Sequence, residues 1–234
     1  MEQLKISAKN LGQVALGDFC HRCFWIKLRV NNKLPFQIFP GIFASLDSYQ
    51  KKVVHAIIDS DKRPEWLQSI GDFVAYRKAP HWSKFNVDIK EYGITLTGAV
   101  DDILVTREGN IIIPDYKTAK FTPNQDKLLP MYEIQLNGYA VIAEGVGISP
   151  VTGLSLIYFE PITDDQAASD HKTPYGFDMA FTAHPVNMPI DRDKLNNAME
   201  KTREIYDMAT PPAGATGCKD CNALETVMSS IGGI

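Results

Sequence analysis

The sequence has 234 residues, of which 44% are hydrophobic and 22% charged, with 16 Gly and 14 Pro. This composition excludes a disordered, collagen-like or low-complexity chain and suits one sizeable hydrophobic core. The formal net charge of −4 is uneven: residues 22–90 carry twelve Lys and Arg against six Asp and Glu, whereas residues 91–234 carry ten against twenty.

Met1 leads into Glu2, Lys5 and Lys9 rather than an apolar signal core, and no apolar run reaches the roughly 18 residues of a membrane span. A cytoplasmic protein without membrane contact is expected. Ser7 is placed to cap a helix over residues 7–17, which ends near Gly17 just before Cys20, Cys23 and the aromatic segment Phe24-Trp25-Ile26. After Pro40-Gly41, helical spacing of Ile42, Leu46, Val53 and Ile57 predicts a helix over 42–58, with Lys51 and Lys52 on its polar side. Pro64 opens a short helix stopped by Gly71.

Residues 87–117 switch to β-branched and aliphatic runs, broken at Tyr92-Gly93 and Arg107-Glu108-Gly109, which predicts a three-stranded meander. A helix follows from Pro130 to Gly145, carrying Tyr132, Leu136, Tyr139, Ala140 and Ile142, then strands over 152–160 and about 175–185, and an amphipathic helix from Pro189 to about Met208. Tight turns between the first strands indicate an α/β sandwich with a mixed sheet rather than a doubly wound one. A single domain spanning residues 1–234 is expected.

The chemistry concentrates in Gly98-Ala99-Val100-Asp101-Asp102 and Pro114-Asp115-Tyr116-Lys117-Thr118. A three-residue loop at Arg107-Glu108-Gly109, with Gly in the left-handed position, sets Thr106 opposite Asn110 and, counting back, Asp101 opposite Asp115. Strand alternation then places Asp101, Asp115 and Lys117 on one face, at the end of an apolar strip of Ile103, Val105, Ile111 and Ile113. Two like charges there are costly unless a hard divalent cation, Mg²⁺ or Mn²⁺, is bound between them. The competing reading makes Asp102 and Asp115 turn-flanking surface residues and Lys117 a solvated strand end.

Gly98-x-x-Asp101, Asp115-Tyr116-Lys117-Thr118 and Gln135-x-x-x-Tyr139, in that order on a strand, a strand and a helix, resemble the RecB-like branch of the PD-(D/E)XK nuclease superfamily over residues 41–160. The resemblance implies a restriction-endonuclease-like core, a mixed central sheet flanked by helices. It also implies metal-dependent hydrolysis of phosphodiesters, with Asp101 and Asp115 as metal ligands, Lys117 as the catalytic lysine, and Gln135 and Tyr139 positioning the site or the nucleic acid. Many such proteins carry a histidine ligand on the preceding helix. Here His55 occupies that helix without the usual short spacing from Gly41, where Ser45 and Asp47 stand instead.

Cys20-x-x-Cys23 and Cys218-x-x-Cys221 supply four thiolates, a strong signal for a metal centre over disulfides. Segments 18–30 and 212–225 would form a clamp joining the two ends of the chain. Its position resembles the cysteine clamp of AddB-type and CRISPR-associated exonucleases, which implies a [4Fe-4S] cluster. Those usually place one ligand before the core and three after it, and the two-plus-two arrangement here leaves Zn²⁺ open. Either centre would fasten the ends and shape a basic, aromatic groove for a single-stranded nucleic acid. The implied partners are DNA with a single-stranded portion and proteins of a repair or CRISPR complex. A catalytically inactive nucleic-acid-binding or assembly module is the alternative. A small redox protein is a further one, but it leaves the aspartates and the lysine unexplained.

Overall fold

The computed structural model describes residues 2–31, 40–60, 63–122 and 127–231. In chain order the elements are β1 (Leu4–Ser7), α1 (Ala8–Gly12), α2 (His21–Arg29), α3 (Ile42–Asp59), α4 (Glu65–Gln68), β2 (Phe73–Tyr76), β3 (Asn86–Ile89), β4 (Ile94–Thr97), β5 (Leu104–Thr106) and β6 (Ile111–Thr118). They continue with α5 (Leu129–Gly145), β7 (Val151–Pro161), α6 (Asp165–Asp170), β8 (Lys172–Thr173), β9 (Gly176–Phe177), β10 (Phe181–Met188), α7 (Arg192–Asp207) and α8 (Lys219–Ile231).

The central sheet has five strands in the order β10-β7-β6-β5-β2. Strands β6 and β7 run parallel, joined by the crossover helix α5, and the other pairings are antiparallel, so the sheet is mixed. One face packs against α3 and α4 through Val54, Ile58, Leu67, Phe73, Ile112, Tyr116 and Phe159. The other packs against α5 and α7 through Ile111, Ile113, Leu136, Leu156, Leu195 and Met199. Helix α5 is buried around most of its circumference, as expected of a helix with apolar residues on every side.

The expected 87–117 meander is divided. Hairpin β3–β4 joins β1 in a separate three-stranded sheet, β1-β4-β3, while hairpin β5–β6 belongs to the central sheet. The chain passes between the sheets over Gly98–Ile103. At Gly98 a side chain has no room, because an added Cβ would lie 2.7 Å from the Tyr139 ring. The β5–β6 turn forms as its sequence dictates: Gly109 adopts φ +85°, and Thr106 N–H donates to Asn110 O at 2.8 Å.

Ser7 caps α1, but only one helical turn follows before a 3-10 segment at Gln13–Ala15. Helix α3 has the expected bounds and a different buried face, Gln50, Val54 and Ile58, while Ile42 and Val53 are exposed. Strands β1 and β2 and helices α2, α6 and α8 are additional to the sequence expectation.

Candidate active site and cysteine centre

Strand β6 alternates, so Tyr116 enters the α3-side core while Asp115 and Lys117 face α5. Asp115 is 2% exposed and pairs with the Lys117 ammonium. From α5, Gln135 Nε2 donates to Asp115 Oδ1 at 3.0 Å and to the Tyr139 hydroxyl at 2.9 Å. The carbonyl oxygen of Gln135 is buried without a hydrogen-bond partner. Lys117 Nζ also lies 4.5 Å above the Tyr132 ring, an attraction between cation and π face.

The pairing of Thr106 with Asn110 is observed, yet the ladder begins only at Leu104, so Asp101 reaches β6 from the preceding bend. Its Oδ2 accepts from the Tyr116 backbone N–H at 2.9 Å, and its charge acts on the Asp115 carboxyl. Burial, reinforced by the Asp101 charge and opposed by Lys117, pushes the Asp115 carboxyl up to about 7. A second cation arrives from α3: Lys51 Nζ lies 3.0 Å from Asp101 Oδ1 and 2.9 Å from Asp47 Oδ2. Gln50, beside it, donates to the Thr118 hydroxyl at 2.8 Å.

His55 bonds elsewhere. Its Nε2 lies 2.8 Å from Asp102 Oδ2, and its ring stacks on Tyr76 with centroids 3.8 Å apart. Asp102, 2% exposed, also accepts from the Tyr116 hydroxyl at 3.0 Å and the Ile103 N–H at 3.0 Å. Burial raises its carboxyl while His55 and these donors oppose the shift. With Asp102 and Asp115 both buried, the reading of them as surface turn residues fails.

The four cysteines converge although their pairs are nearly two hundred residues apart. Cys20 caps α2 and Cys23 lies in its first turn, while Cys218 immediately precedes α8 and Cys221 lies in its first turn. All four sulfurs lie within 4.8 Å of one another, and among the described residues they form the one cluster of three or more candidate ligands this tight. The Ala215 N–H donates to Cys20 Sγ at 3.3 Å. Burial raises the Cys20 thiol, but donors led by Ala215 outweigh it and hold the group at about 6.

A family model of the PD-(D/E)XK nuclease superfamily matches residues 14–225, nearly the whole chain. The chain belongs to the PD-(D/E)XK nuclease superfamily. Its mixed central sheet flanked by helices is accordingly a restriction-endonuclease-like fold, and membership implies a metal-dependent nuclease with a nucleic-acid substrate. No curated protein matches the sequence. Among solved structures the chain is similar to the crystal structure of SSO0001, with 14% identity, a TM-score of 0.39, and coverage of 90% of this chain and 80% of that one.

In this PD-(D/E)XK chain Asp101, Asp115, Lys117, Gln135 and Tyr139 come together, whereas His55 is turned to Asp102. The sequence reading placed Lys51 on the polar side of its helix and gave Tyr132 a place on α5 but no part in the site. The signal for Lys51 was available: Asp47, Lys51 and His55 recur at every fourth position of α3 and so share one face.

Proposed function

We propose that this protein is a Mg²⁺- or Mn²⁺-dependent deoxyribonuclease of RecB-like type, an exonuclease or endonuclease serving DNA repair, recombination, or CRISPR or phage DNA processing. The observation carrying this reading is the convergence of the buried Asp115 carboxyl, the half-buried Asp101 carboxyl that acts on it, and the Lys117 ammonium paired with Asp115.

The donor set suits a hard divalent ion: two carboxyls that are costly to ionise together, and a buried Gln135 oxygen lacking a donor. Bound there by Asp101 and Asp115, such an ion would supply Lewis acidity and a more acidic water. The chain's own groups do the rest. Gln135 fixes the orientation of Asp115 through Oδ1, with its own amide backed by Tyr139. Lys117 presents N–H donors beside Asp115, where they orient the attacking water and offset charge on the phosphoryl oxygens. In the hydrolysis the water gives up one proton as its oxygen bonds to phosphorus, the bond to the leaving oxygen breaks, and that oxygen takes up one proton, so the protons balance.

Single-stranded DNA as the substrate is supported by the segment between β2 and β3, where Arg77, Lys78, Trp82 and Lys84 are exposed. Trp82 is 62% exposed, and basic side chains beside an open aromatic ring suit a phosphate backbone with unstacked bases. Of the other basic residues in this half, Lys62 lies outside the described residues. We take residues 1–234 as one functional unit, with its nuclease core at about 41–160 and the cysteine clamp from 18–30 and 212–225. Action in the cytoplasm, alongside repair or CRISPR proteins, belongs to the same proposal.

The pairing of His55 with Asp102 favours a second reading, a nucleic-acid-binding or assembly module without turnover. Cleavage of end-labelled single- and double-stranded DNA, with free and blocked ends, separates the two. Mg²⁺- or Mn²⁺-dependent products that vanish in Lys117→Ala, with DNA binding retained, support the nuclease. Binding without products in the native protein supports the module.

A further inference from the structure

The sulfur spacing at the cysteine centre distinguishes between kinds of metal group. Cys23 Sγ lies 3.4 Å from Cys221 Sγ and 3.6 Å from Cys218 Sγ, and Cys20 Sγ lies 3.6 Å from Cys221 Sγ. Four thiolates around one Zn²⁺, each about 2.3 Å from it, form a tetrahedron with edges of about 3.8 Å. A cubane places four irons and their bridging sulfides inside the ligand shell and spreads the cysteine sulfurs to about 6 Å or more. All four sulfurs here lie within 4.8 Å of one another, short of that. The sulfur spacing therefore fits a single ion and does not fit a [4Fe-4S] cluster.

Helix α8 has little else to hold it. Cys221 is its only buried residue, and Val227, Met228 and Ile231 are 46%, 61% and 63% exposed. Its ion pair, Glu225 with Arg22 at 2.6 Å, joins partly exposed groups and contributes little. Helix α2, by contrast, is fastened independently of the cysteines. Trp25 Nε1 and Arg29 Nη2 donate to the Met208 carbonyl, each at 3.0 Å, and the Arg29 guanidinium lies 4.9 Å from both the Trp25 and Tyr206 rings.

We propose that Cys20, Cys23, Cys218 and Cys221 hold one structural Zn²⁺, and that this ion clasps α8 to the α2 face of the protein. Zinc has no redox chemistry, so the centre is a fastening and not an electron carrier. The folding contribution of the ion is local: α8 docks when it binds, while α2, α5 and the central sheet are held by their own packing.

The proposal does not depend on nuclease activity, and its test is read without it. Protein purified anaerobically is assayed for zinc, iron and acid-labile sulfide, and its visible spectrum recorded. Hydrogen exchange is then compared before and after removal of the metal by a chelator. The expected result is stoichiometric zinc in a colourless protein, visible ligand-field bands on replacement with Co²⁺, and loss of protection over residues 219–231 on chelation with residues 21–29 and 129–145 unchanged. Iron with sulfide and a broad band near about 400 nm would overturn the zinc assignment, as would protein that purifies without either metal. Zinc whose removal leaves residues 219–231 as protected as before would overturn the clasp. Cys218→Ser provides a second route, since the loss of one α8 ligand should reproduce the exchange pattern of chelated protein while the core still folds.

Discussion

Asp115 is the residue on which charge, burial and chemistry meet. Its carboxyl ionises at about 7 in the folded protein and at about 4 in an unfolded chain. Between those values the native state binds more protons than the unfolded state, so metal-free protein loses stability as pH rises from about 4 to about 7, by an amount on the order of a few kcal/mol. Urea denaturation without divalent ions should therefore show lower stability at pH 8 than at pH 5. Mn²⁺ should restore stability at pH 8, and Asp115→Asn should flatten the pH profile and remove the Mn²⁺ effect. Lys51 makes a different prediction. Its ammonium neutralises Asp101 and repels an incoming cation, so Lys51→Met should tighten Mn²⁺ binding in the absence of DNA. The gain, for a partly exposed pair worth up to about 1 kcal/mol, is roughly fivefold by titration calorimetry.

At the scale of elements, the close approach of α1 to α5 is set by two glycines. A Cβ at Gly12 would lie 2.4 Å from the Met131 carbonyl oxygen, and one at Gly138 would lie 2.7 Å from the Ala8 Cβ. Because the first obstacle is backbone, Gly12→Ala should destabilise the protein by about 1–3 kcal/mol, and Gly138→Ala by less, measured as shifts in the urea midpoint. The local signals for elements were legible where turn chemistry decided them: Gly109 fixed the β5–β6 hairpin and its register, while Asp101 reaches β6 from the bend before that ladder. Partner choice was not legible. The four residues of β1 are too short for periodicity to register, so nothing indicated that β3–β4 would leave the central sheet to pair with them. Helix α3 illustrates a second limit, since its polar face points into the site. A hydrophobic stripe identifies which side packs on a core, but Lys51 turns to the site because it answers the charge of Asp101, with Asp47 pairing to the same ammonium from a more exposed position.

For the molecule as a whole, the uneven charge determines how a nucleic acid must approach. The basic segment supplies α2, α3, α4, β2 and β3, whereas the remainder carries net negative charge that repels a phosphate backbone. Binding should therefore depend on a limited group of cations rather than on the overall charge. The exposed Arg77, Lys78 and Lys84 are placed for this: the Arg77 N–H donates to the Ile103 carbonyl, and Phe85, after Lys84, accepts from the Gly98 N–H. Those bonds fasten both ends of the loop to the two sides of the segment bearing Asp101. With Ca²⁺ in place of Mg²⁺ to hold turnover down, the logarithm of the binding constant for single-stranded DNA should fall linearly with the logarithm of salt concentration. Lys78→Gln and Lys84→Gln together should lower that slope by about 0.7 for each phosphate that the protein no longer neutralises. Trp82→Ala should weaken binding by about 1–3 kcal/mol and leave the slope unchanged, because base stacking releases no counterions. A slope unaltered by the lysine changes, in protein that still binds DNA, would place the phosphate track elsewhere on the molecule.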